Sequence, residues 1–157
     1  MTNNDVLRRI RYTFDYKDSL MIKIFGLADR KVTIEELSNW LKKDEDDDFA
    51  PIYDKDLSFF LNGWINFKRG KKEGEQPKPE KKLTNNIVFR KLKIALDLKA
   101  EDVLAILDLA NLRVSKHELS AFFRKPGQSQ YRLCKDQILR NFLHGMQIKY
   151  REDEDKD

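Results

Sequence analysis

Glycine and proline are scarce in this sequence. Its 157 residues include only 6 Gly and 4 Pro, about 6% of the chain, whereas the two together average about 12% of residues in proteins. A fold of many short strands needs frequent turns, and Gly and Pro supply most of them. We therefore exclude a many-stranded fold and expect a chain that is mainly helical.

Cysteine and histidine are scarcer still. Cys134 is the single cysteine, so no internal disulfide can form, which agrees with a reducing cytoplasm. One cysteine and two histidines cannot assemble an ordinary zinc-ligand set. The sequence also lacks a Gly-rich phosphate loop, a G-x-S-x-G elbow and an H-E-x-x-H motif. We therefore expect no metal, no cofactor and no enzymatic activity.

Long apolar runs are also missing. The first ten residues carry Asp5, Arg8 and Arg9 in place of the apolar region of a signal peptide. No stretch approaches the roughly 18 unbroken apolar residues of a membrane span. We expect a cytoplasmic protein that is not exported and has no membrane partner.

The residues that are present suit a folded chain with a heavily solvated surface. Apolar residues make up 40% of the sequence and charged residues 37%. That apolar content can form a sizeable core, and the length fits one compact domain or two small ones.

The chain contains an internal duplication. A constant shift of 82 residues aligns residues 2–69 with residues 84–151 without a gap, and 21 of the 68 aligned positions are identical. Similar composition explains matching apolar residues, but it does not explain matching amides, aspartates and glycines. Such matches include Asn3/Asn85, Asn4/Asn86, Asp15/Asp97, Asp54/Asp136 and Gly63/Gly145.

The duplication divides the chain into four segments. Two helical repeats occupy residues 1–69 and 84–151. Residues 70–83 between them are rich in Lys, Glu and Pro, which is typical of an exposed linker. Residues 152–157 form an acidic tail that is expected to fray.

Apolar residues at helical spacing predict four helices in each repeat. We expect Asn3 or Asn4 to cap the first helix, and an S/T-x-x-E capping box to begin the third. The second helix is apolar nearly all round, so it should be buried. The predicted second, third and fourth helices begin at Leu20, Thr33 and Asp54, and in the other repeat at Asp102, Ser115 and Asp136.

These elements predict an all-α protein of two homologous four-helix bundles related by pseudo-twofold symmetry. Gly63 and Gly145 lie inside the fourth helices, where a glycine costs about 1 kcal/mol relative to alanine. Their presence in both repeats predicts a close helix approach at that point.

The acidic run Asp44–Asp48 resembles part of a calcium-binding loop. Phe49 and Lys55, however, stand where an EF-hand requires glycine and glutamate. We therefore favour a solvated acidic loop over a metal site.

Cys134, Asp136 and His144 could form a nucleophile with its base and orienting group. Their equivalents in the first repeat are Ile52, Asp54 and Asn62, which cannot do this chemistry. We therefore favour structural roles for all three. His117 is predicted to be exposed and to bind no metal.

The second and third helices of each repeat could form a helix-turn-helix unit. Their predicted spans are residues 20–28 and 33–43, and residues 102–110 and 115–125. The third helices are partly apolar and carry mixed charges, so a plain helical hairpin is favoured over major-groove recognition.

The opening helix of each repeat carries a basic face. The net charge is +4, and it becomes +13 when the acidic loop and the tail are set aside, which would attract phosphates or acidic proteins. A solvated face neutralised by nearby acids is the alternative. The candidate residues for nucleic-acid binding are Arg8, Arg9, Arg11, Arg90, Lys91 and Lys93.

The functional hypothesis is therefore a non-enzymatic binding protein that contacts DNA or RNA phosphates through these paired basic helices, with little base recognition. The alternative is a protein-interaction adaptor that uses the groove between the repeats.

Several segments resemble the YehS family, a duplicated bacterial domain of unknown function. The resemblance covers essentially the whole chain and implies a small cytoplasmic bacterial protein, but it implies no activity or site residue. The segments that carry it are residues 2–12, 60–63, 85–88, 104–107 and 141–145.

Overall fold

A computed structural model describes residues 1–151, and within them the protein consists of eight α-helices and no strand. The predicted all-α class is therefore confirmed. The predicted acidic tail, residues 152–157, lies outside the described residues. The helices are α1 (Asn3–Phe14), α2 (Asp18–Gly26), α3 (Ile34–Leu41), α4 (Asp54–Arg69), α5 (Asn85–Ala95), α6 (Ala100–Leu109), α7 (Lys116–Phe122) and α8 (Asp136–Tyr150).

The helices divide into two compact units, with the boundary between Leu83 and Thr84. In the first unit, α2 packs against α3 and α4, and α1 packs against the same two helices. In the second unit, α6 packs against α7 and α8, and α5 packs against α8. Each repeat thus forms its own four-helix unit.

Each unit has its own apolar core. The helices α2 and α6, predicted to be buried all round, in fact bury one face, and Leu109 at the end of α6 is 45% exposed. Fully buried residues of the first core are Leu7, Ile10, Met21, Ile24, Phe25, Leu37, Leu57, Phe60, Leu61 and Trp64. In the second they include Phe89, Leu92, Val103, Ile106, Leu107, Phe142 and Met146.

The two mid-helix glycines mark the closest helix contacts. A Cβ on Gly63 would lie 1.9 Å from the carbonyl oxygen of Ile24, and one on Gly145 would lie 2.0 Å from that of Ile106. Only a residue without a side chain permits α4 to approach α2, and α8 to approach α6, at this distance. The close approach predicted from the sequence is confirmed.

The third helices begin as predicted. Thr33 accepts a hydrogen bond from the Glu36 amide, and the Glu36 carboxylate accepts one from the Thr33 amide. Ser115 and Glu118 repeat this capping box in the second unit. These reciprocal bonds satisfy amides that the helix itself leaves without partners.

The predicted cap of the first helix was wrong. Thr2 and Thr84 cap α1 and α5 by accepting hydrogen bonds from the backbone amides of Asp5 and Ile87. The asparagines predicted as caps lie one and two residues inside each helix, where their side chains reach distant parts of the chain.

The buried Asn4 amide joins α1 to the loop between α3 and α4. Its Nδ2 donates to the carbonyls of Trp40 and Ala50 at 2.9 and 3.0 Å, and its Oδ1 accepts from the Ile52 amide at 3.2 Å. A loop that enters a core brings backbone polar groups that need partners, and this side chain satisfies three of them.

Asn86 does the same in the second unit. It bonds the carbonyls of Phe122 and Arg132 and the amide of Cys134, at 2.8 to 3.0 Å. Asn3 and Asn85 each add a bond to the aspartate at the first position of the fourth helix, at 2.7 Å in both units. The repeated Asn-Asn pair is therefore a structural clamp.

Four helix ends use an aspartate or asparagine where glycine is usual. Asp15, Asp29, Asp97 and Asn111 have φ between 52° and 64°. At each, its amide and the next amide bond back to the helix in the Schellman pattern. Asp and Asn tolerate this left-handed conformation better than most residues. A glycine-poor chain can therefore still end its helices sharply.

Residues 70–83, predicted as an exposed linker, are mostly exposed, but Gln76, Pro79, Glu80 and Leu83 are half-buried. Ser58 of α4 exchanges hydrogen bonds with Glu80, and the Leu83 amide donates to Asp54 at 2.8 Å. This segment therefore packs as part of the first unit.

The third helices are shorter than predicted. The α3 helix ends at Leu41 and α7 at Phe122, whereas the predicted spans reached residues 43 and 125. Residues 27–33 connect α2 to α3, which is longer than the turn of about three or four residues that joins the helices of a DNA-reading unit. This geometry favours the plain helical hairpin.

Candidate nucleic-acid interface

The candidate basic residues lie on α1 and α5, and the structure places them in very different surroundings. Both terminal nitrogens of the Arg8 guanidinium on α1 are engaged. Its Nη1 donates to the Lys42 carbonyl at 2.6 Å, and its Nη2 contacts Asp5 at 2.9 Å and Asp44 at 3.2 Å. The side chain is 25% exposed. Arg8 is therefore largely neutralised within its own unit.

The hydrogen bonds at Asp5 stabilise its charged form. Burial raises the pKa of this carboxyl, but hydrogen bonds from the Thr2 amide and from Arg8 outweigh burial and lower the pKa below its ordinary value. Asp5 is thus a fixed negative charge beside Arg8.

Arg9 and Arg11 are partly withdrawn from solvent. Burial lowers the pKa of Arg9, and the charge of Asp5 opposes that effect. The Nη1 of Arg9 and the Nε of Arg11 are buried and have no hydrogen-bond partner among the described residues. Arg11 also lies 3.6 Å from Asp18. Neither side chain presents its full charge outward.

Lys91 is 9% exposed, which makes it a buried residue of α5. Its side chain therefore offers little surface to a ligand. Lys93 is half-buried, and its Nζ lies 5.2 Å from the centre of the Phe123 ring, in a cation–π contact. Lys93 is thus engaged within the second unit, and Lys91 is largely withdrawn from solvent.

Arg90 is different from the other five candidates. It is exposed and forms no ion pair with any residue that the structure describes. It lines a small cleft, called here the Arg90 cleft, of about 30 Å³, room for one or two water molecules. The lining residues are Thr84, Asn86, Ile87, Arg90, Phe122, Phe123, Arg124, Pro126 and Tyr131.

The Arg90 cleft carries a second free cation. Arg124 is exposed, and within the described part of the chain it too makes no ion pair. Its equivalent in the first unit is Lys42, whose ammonium lies 3.4 Å from Asp48. The cleft therefore combines two unneutralised guanidinium groups with aromatic side chains.

Two substitutions between the repeats explain the contrast. The positions of Asp5 and Asp44, which neutralise Arg8, are occupied in the second repeat by Ile87 and Pro126. The arginine is retained while both of its carboxylate partners are lost. The basic surface is consequently concentrated in the second unit.

Sequence reasoning missed Arg124 and Tyr131 as members of this site. The gapless alignment of the two repeats did contain a signal. Arg8 and Arg90 are identical, whereas Asp5 and Asp44 are replaced by the uncharged Ile87 and Pro126. It could be recognised only once the contact between Arg8 and Asp44, 36 residues apart, was known.

The acidic loop 44–48 is exposed, and two of its aspartates pair with cations of its own unit. Asp44 contacts Arg8, and Asp48 contacts Lys42. In residues 1–151, no group of three or more His, Cys, Asp or Glu side chains is arranged to hold a metal ion. The loop therefore acts as an internal counter-charge to α1.

The residues considered as a nucleophile with its base and orienting group are Cys134, Asp136 and His144. Their surroundings suit structural roles rather than catalysis. Cys134 is buried, and burial raises its pKa to about 12, so the thiol stays protonated. Asp136 accepts a hydrogen bond from Asn85, which lowers the pKa of its carboxyl. His144 and His117 are both exposed on their helices.

The geometry defines the class of the protein as a duplicated all-α protein whose two four-helix units carry differently charged surfaces. The chain belongs to the family described as "Protein of unknown function (DUF1456)", whose model matches it twice, at residues 3–70 and 85–152. The two matches correspond to the two units.

The chain is similar to the "Uncharacterized protein YehS" of Escherichia coli (strain K12). The two are 42% identical over 147 residues, which cover 93% of this chain and 94% of the relative. The resemblance found in the sequence is thus confirmed. No solved structure matches the chain. Among the described helices, none combines the length and apolar character needed to cross a membrane.

Proposed function

We propose that this protein is a non-enzymatic, cytoplasmic binding protein that associates with nucleic acid through electrostatic contacts to phosphates, made mainly by its second unit. The single observation that carries the proposal is the state of Arg90. Its guanidinium is exposed and has no ion-pair partner in the described chain, whereas the equivalent Arg8 is bound by Asp5 and Asp44.

Free arginines suit phosphate recognition. A guanidinium offers a planar set of donors that can bond two phosphate oxygens at once, and it stays charged at any physiological pH. The positive charge outside the acidic loop and tail would also steer an anionic polymer toward the chain. Contacts of this kind position a protein on nucleic acid without reading its sequence.

The test is fluorescence anisotropy with labelled duplex DNA, single-stranded DNA and structured RNA over a series of salt concentrations. We expect the logarithm of the binding constant to fall linearly with the logarithm of salt concentration. Arg90→Gln should weaken binding several-fold and reduce the salt slope by about 1, because one phosphate contact is lost.

Arg8→Gln is the matched control, since it removes the same group from the equivalent helix of the other unit. It should leave the affinity within about two-fold of the wild-type value, because Arg8 is already neutralised. Equal losses in the two variants would contradict the assignment to the second unit. Absence of binding to all three probes, at about 50 mM salt and about 10 μM protein, would refute the proposal and redirect the search to protein partners.

A further inference from the structure

The Arg90 cleft combines features that point to one kind of ligand. We propose that it binds single-stranded nucleic acid, holding one backbone phosphate between Arg90 and Arg124 while the adjoining base stacks on Tyr131. This inference rests on the proposed function and names the form of nucleic acid that the second unit takes.

The phosphate position follows from the two arginines. Arg90 comes from α5 and Arg124 follows α7, and both line the same concavity. Neither has a carboxylate partner in the described residues, so two like charges share the cleft without a counter-charge. An anion placed between them relieves that repulsion and receives donors from both sides.

The base position follows from the aromatic rings. The Phe123 ring is already in contact with Phe89, at 5.0 Å between centres, and with the Lys93 ammonium at 5.2 Å. Tyr131 is half-buried and makes no ring contact with any described residue. Among the half-buried rings of the cleft, the Tyr131 ring is thus the one that no other ring or cation of the described residues engages. Bases stack on such rings with little regard to sequence.

The pairing of a cationic pair with an aromatic ring favours a single strand. Arg90, Arg124 and Tyr131 line one cleft, so a ligand there can present a phosphate and a base together. In a duplex the bases are stacked on one another and paired, so that a tyrosine beside the backbone does not reach a base face. A single strand can turn one base outward onto the ring.

The first unit provides an internal comparison. At the equivalent positions, Asp5 and Asp44 bind Arg8, so the guanidinium donors there are used within the protein. Ile87 and Pro126 remove both carboxylates from the second unit. An arginine without carboxylate partners, at a position where the other unit holds its arginine in ion pairs, keeps its donors available to an anionic ligand.

The experiment measures binding of labelled 12-nucleotide single-stranded DNA, single-stranded RNA and duplex DNA to the full chain. Tyr131→Leu should weaken single-strand binding about ten-fold and leave duplex binding unchanged, because only a splayed base uses the ring. Tyr131→Phe keeps the ring and should bind as the wild type does. The DNA and RNA arms show which of the two strands is preferred.

A second variant restores the first unit's chemistry in the cleft. Ile87→Asp combined with Pro126→Asp supplies the two carboxylates that neutralise Arg8, so single-strand binding should fall about ten-fold or more. The first unit folds with aspartate at both equivalent positions. Asp5→Asn is its control, because it changes charge at the equivalent position outside the cleft and should not reduce binding.

The outcomes separate the inference from the function on which it rests. If nucleic acid binds but neither Tyr131→Leu nor the two added aspartates weakens binding, the Arg90 cleft is not the binding site. The proposed function would then still hold. Equal affinity for duplex and single strands, with no effect of Tyr131→Leu on either, would also overturn it. Failure of every probe to bind the wild-type chain would overturn the proposed function itself.

Discussion

Gly63 of α4 lies against the backbone of Ile24 in α2, so close that a Cβ would stand 1.9 Å from the Ile24 carbonyl oxygen. The same relationship joins Gly145 of α8 to Ile106 of α6 at 2.0 Å. Real side-chain atoms do not approach a backbone oxygen at this distance. The glycines therefore set how closely the two central helices of each unit pack.

Gly63→Ala should lower the free energy of unfolding by up to about 2 kcal/mol. The added methyl must push two helices apart, and overpacking typically costs about 1–3 kcal/mol, more than the roughly 1 kcal/mol that alanine gains over glycine in a helix. Urea unfolding followed by circular dichroism measures this. Gly145→Ala should behave in the same way.

Gly26→Ala is the matched control, since a Cβ at that exposed position of α2 has nothing within 4 Å. It should leave stability unchanged or raise it by up to about 1 kcal/mol. A Gly63→Ala variant as stable as Gly26→Ala would show that the helices can separate without penalty.

Asn4→Ala should destabilise the first unit by about 3 kcal/mol or more. The change leaves the Trp40 and Ala50 carbonyls and the Ile52 amide without their partner, and each buried unsatisfied group costs roughly 1–3 kcal/mol. Asn141→Ala is a suitable comparison because its amide bonds only one exposed carbonyl, that of Gln137. If the two variants lose similar amounts of unfolding free energy, the three hydrogen bonds of Asn4 do not stabilise the first unit as proposed.

Acid should destabilise the start of α3 through Glu36. Hydrogen bonds from the Thr33 amide and from Arg30 lower the pKa of this carboxyl below its ordinary value. Its contribution is therefore present above about pH 4.3, where the unfolded carboxyl is ionised, and is lost as pH falls through the lower folded pKa. Glu36→Gln keeps a capping side chain but removes the charge.

We expect Glu36→Gln to lower neutral stability by no more than about 1 kcal/mol, since the pair with Arg30 is partly exposed. The variant and the wild type should converge in stability as the pH falls from about 4.3 through the lower folded pKa of Glu36. Unfolding midpoints measured between pH 3 and pH 7 test this. Glu35→Gln, at an exposed neighbour without an ion pair among the described residues, should leave stability at pH 7 within about 0.5 kcal/mol of the wild type.

The Cys134 thiol should be inert in the folded protein. Burial raises its pKa to about 12, so at pH 8 almost none of it is the reactive thiolate. A thiol reagent such as Ellman's should therefore react only after urea unfolds the chain. Stability should also decline slightly above about pH 8.5, where the unfolded thiol ionises and the folded one does not. Rapid labelling of the native chain would contradict this.

Part of the fold could be read from local patterns. The capping boxes at Thr33 and Ser115 depend on residues three apart, and the mid-helix glycines stand out within a single helical repeat. Such features use neighbours in the sequence, so they survive whatever packs around them. The first cap was missed because Asn4 forms its bonds with residues 36 to 48 positions away.

The candidate site was predicted less well than the fold. Basic residues at helical spacing marked α1 and α5, yet the spacing carries no information on which cations are neutralised. Arg8 and Arg90 occupy equivalent positions, but a loop residue 36 positions away neutralises the first and a proline stands in its place beside the second. Helical spacing likewise predicted that Lys91 lies on the exposed face of α5, but the residue is only 9% exposed.

The sequence by itself determined the helical class, the duplication and the family, because these follow from composition, periodicity and repeated residues. Only the tertiary structure decided which of the basic side chains remain without a carboxylate partner and can bind an anionic ligand. A charge is free or neutralised according to the groups that folding brings beside it, and beside Arg8 these are Asp5 of the same helix and Asp44 from a distant loop. The two repeats therefore share a fold while presenting different surfaces to a ligand.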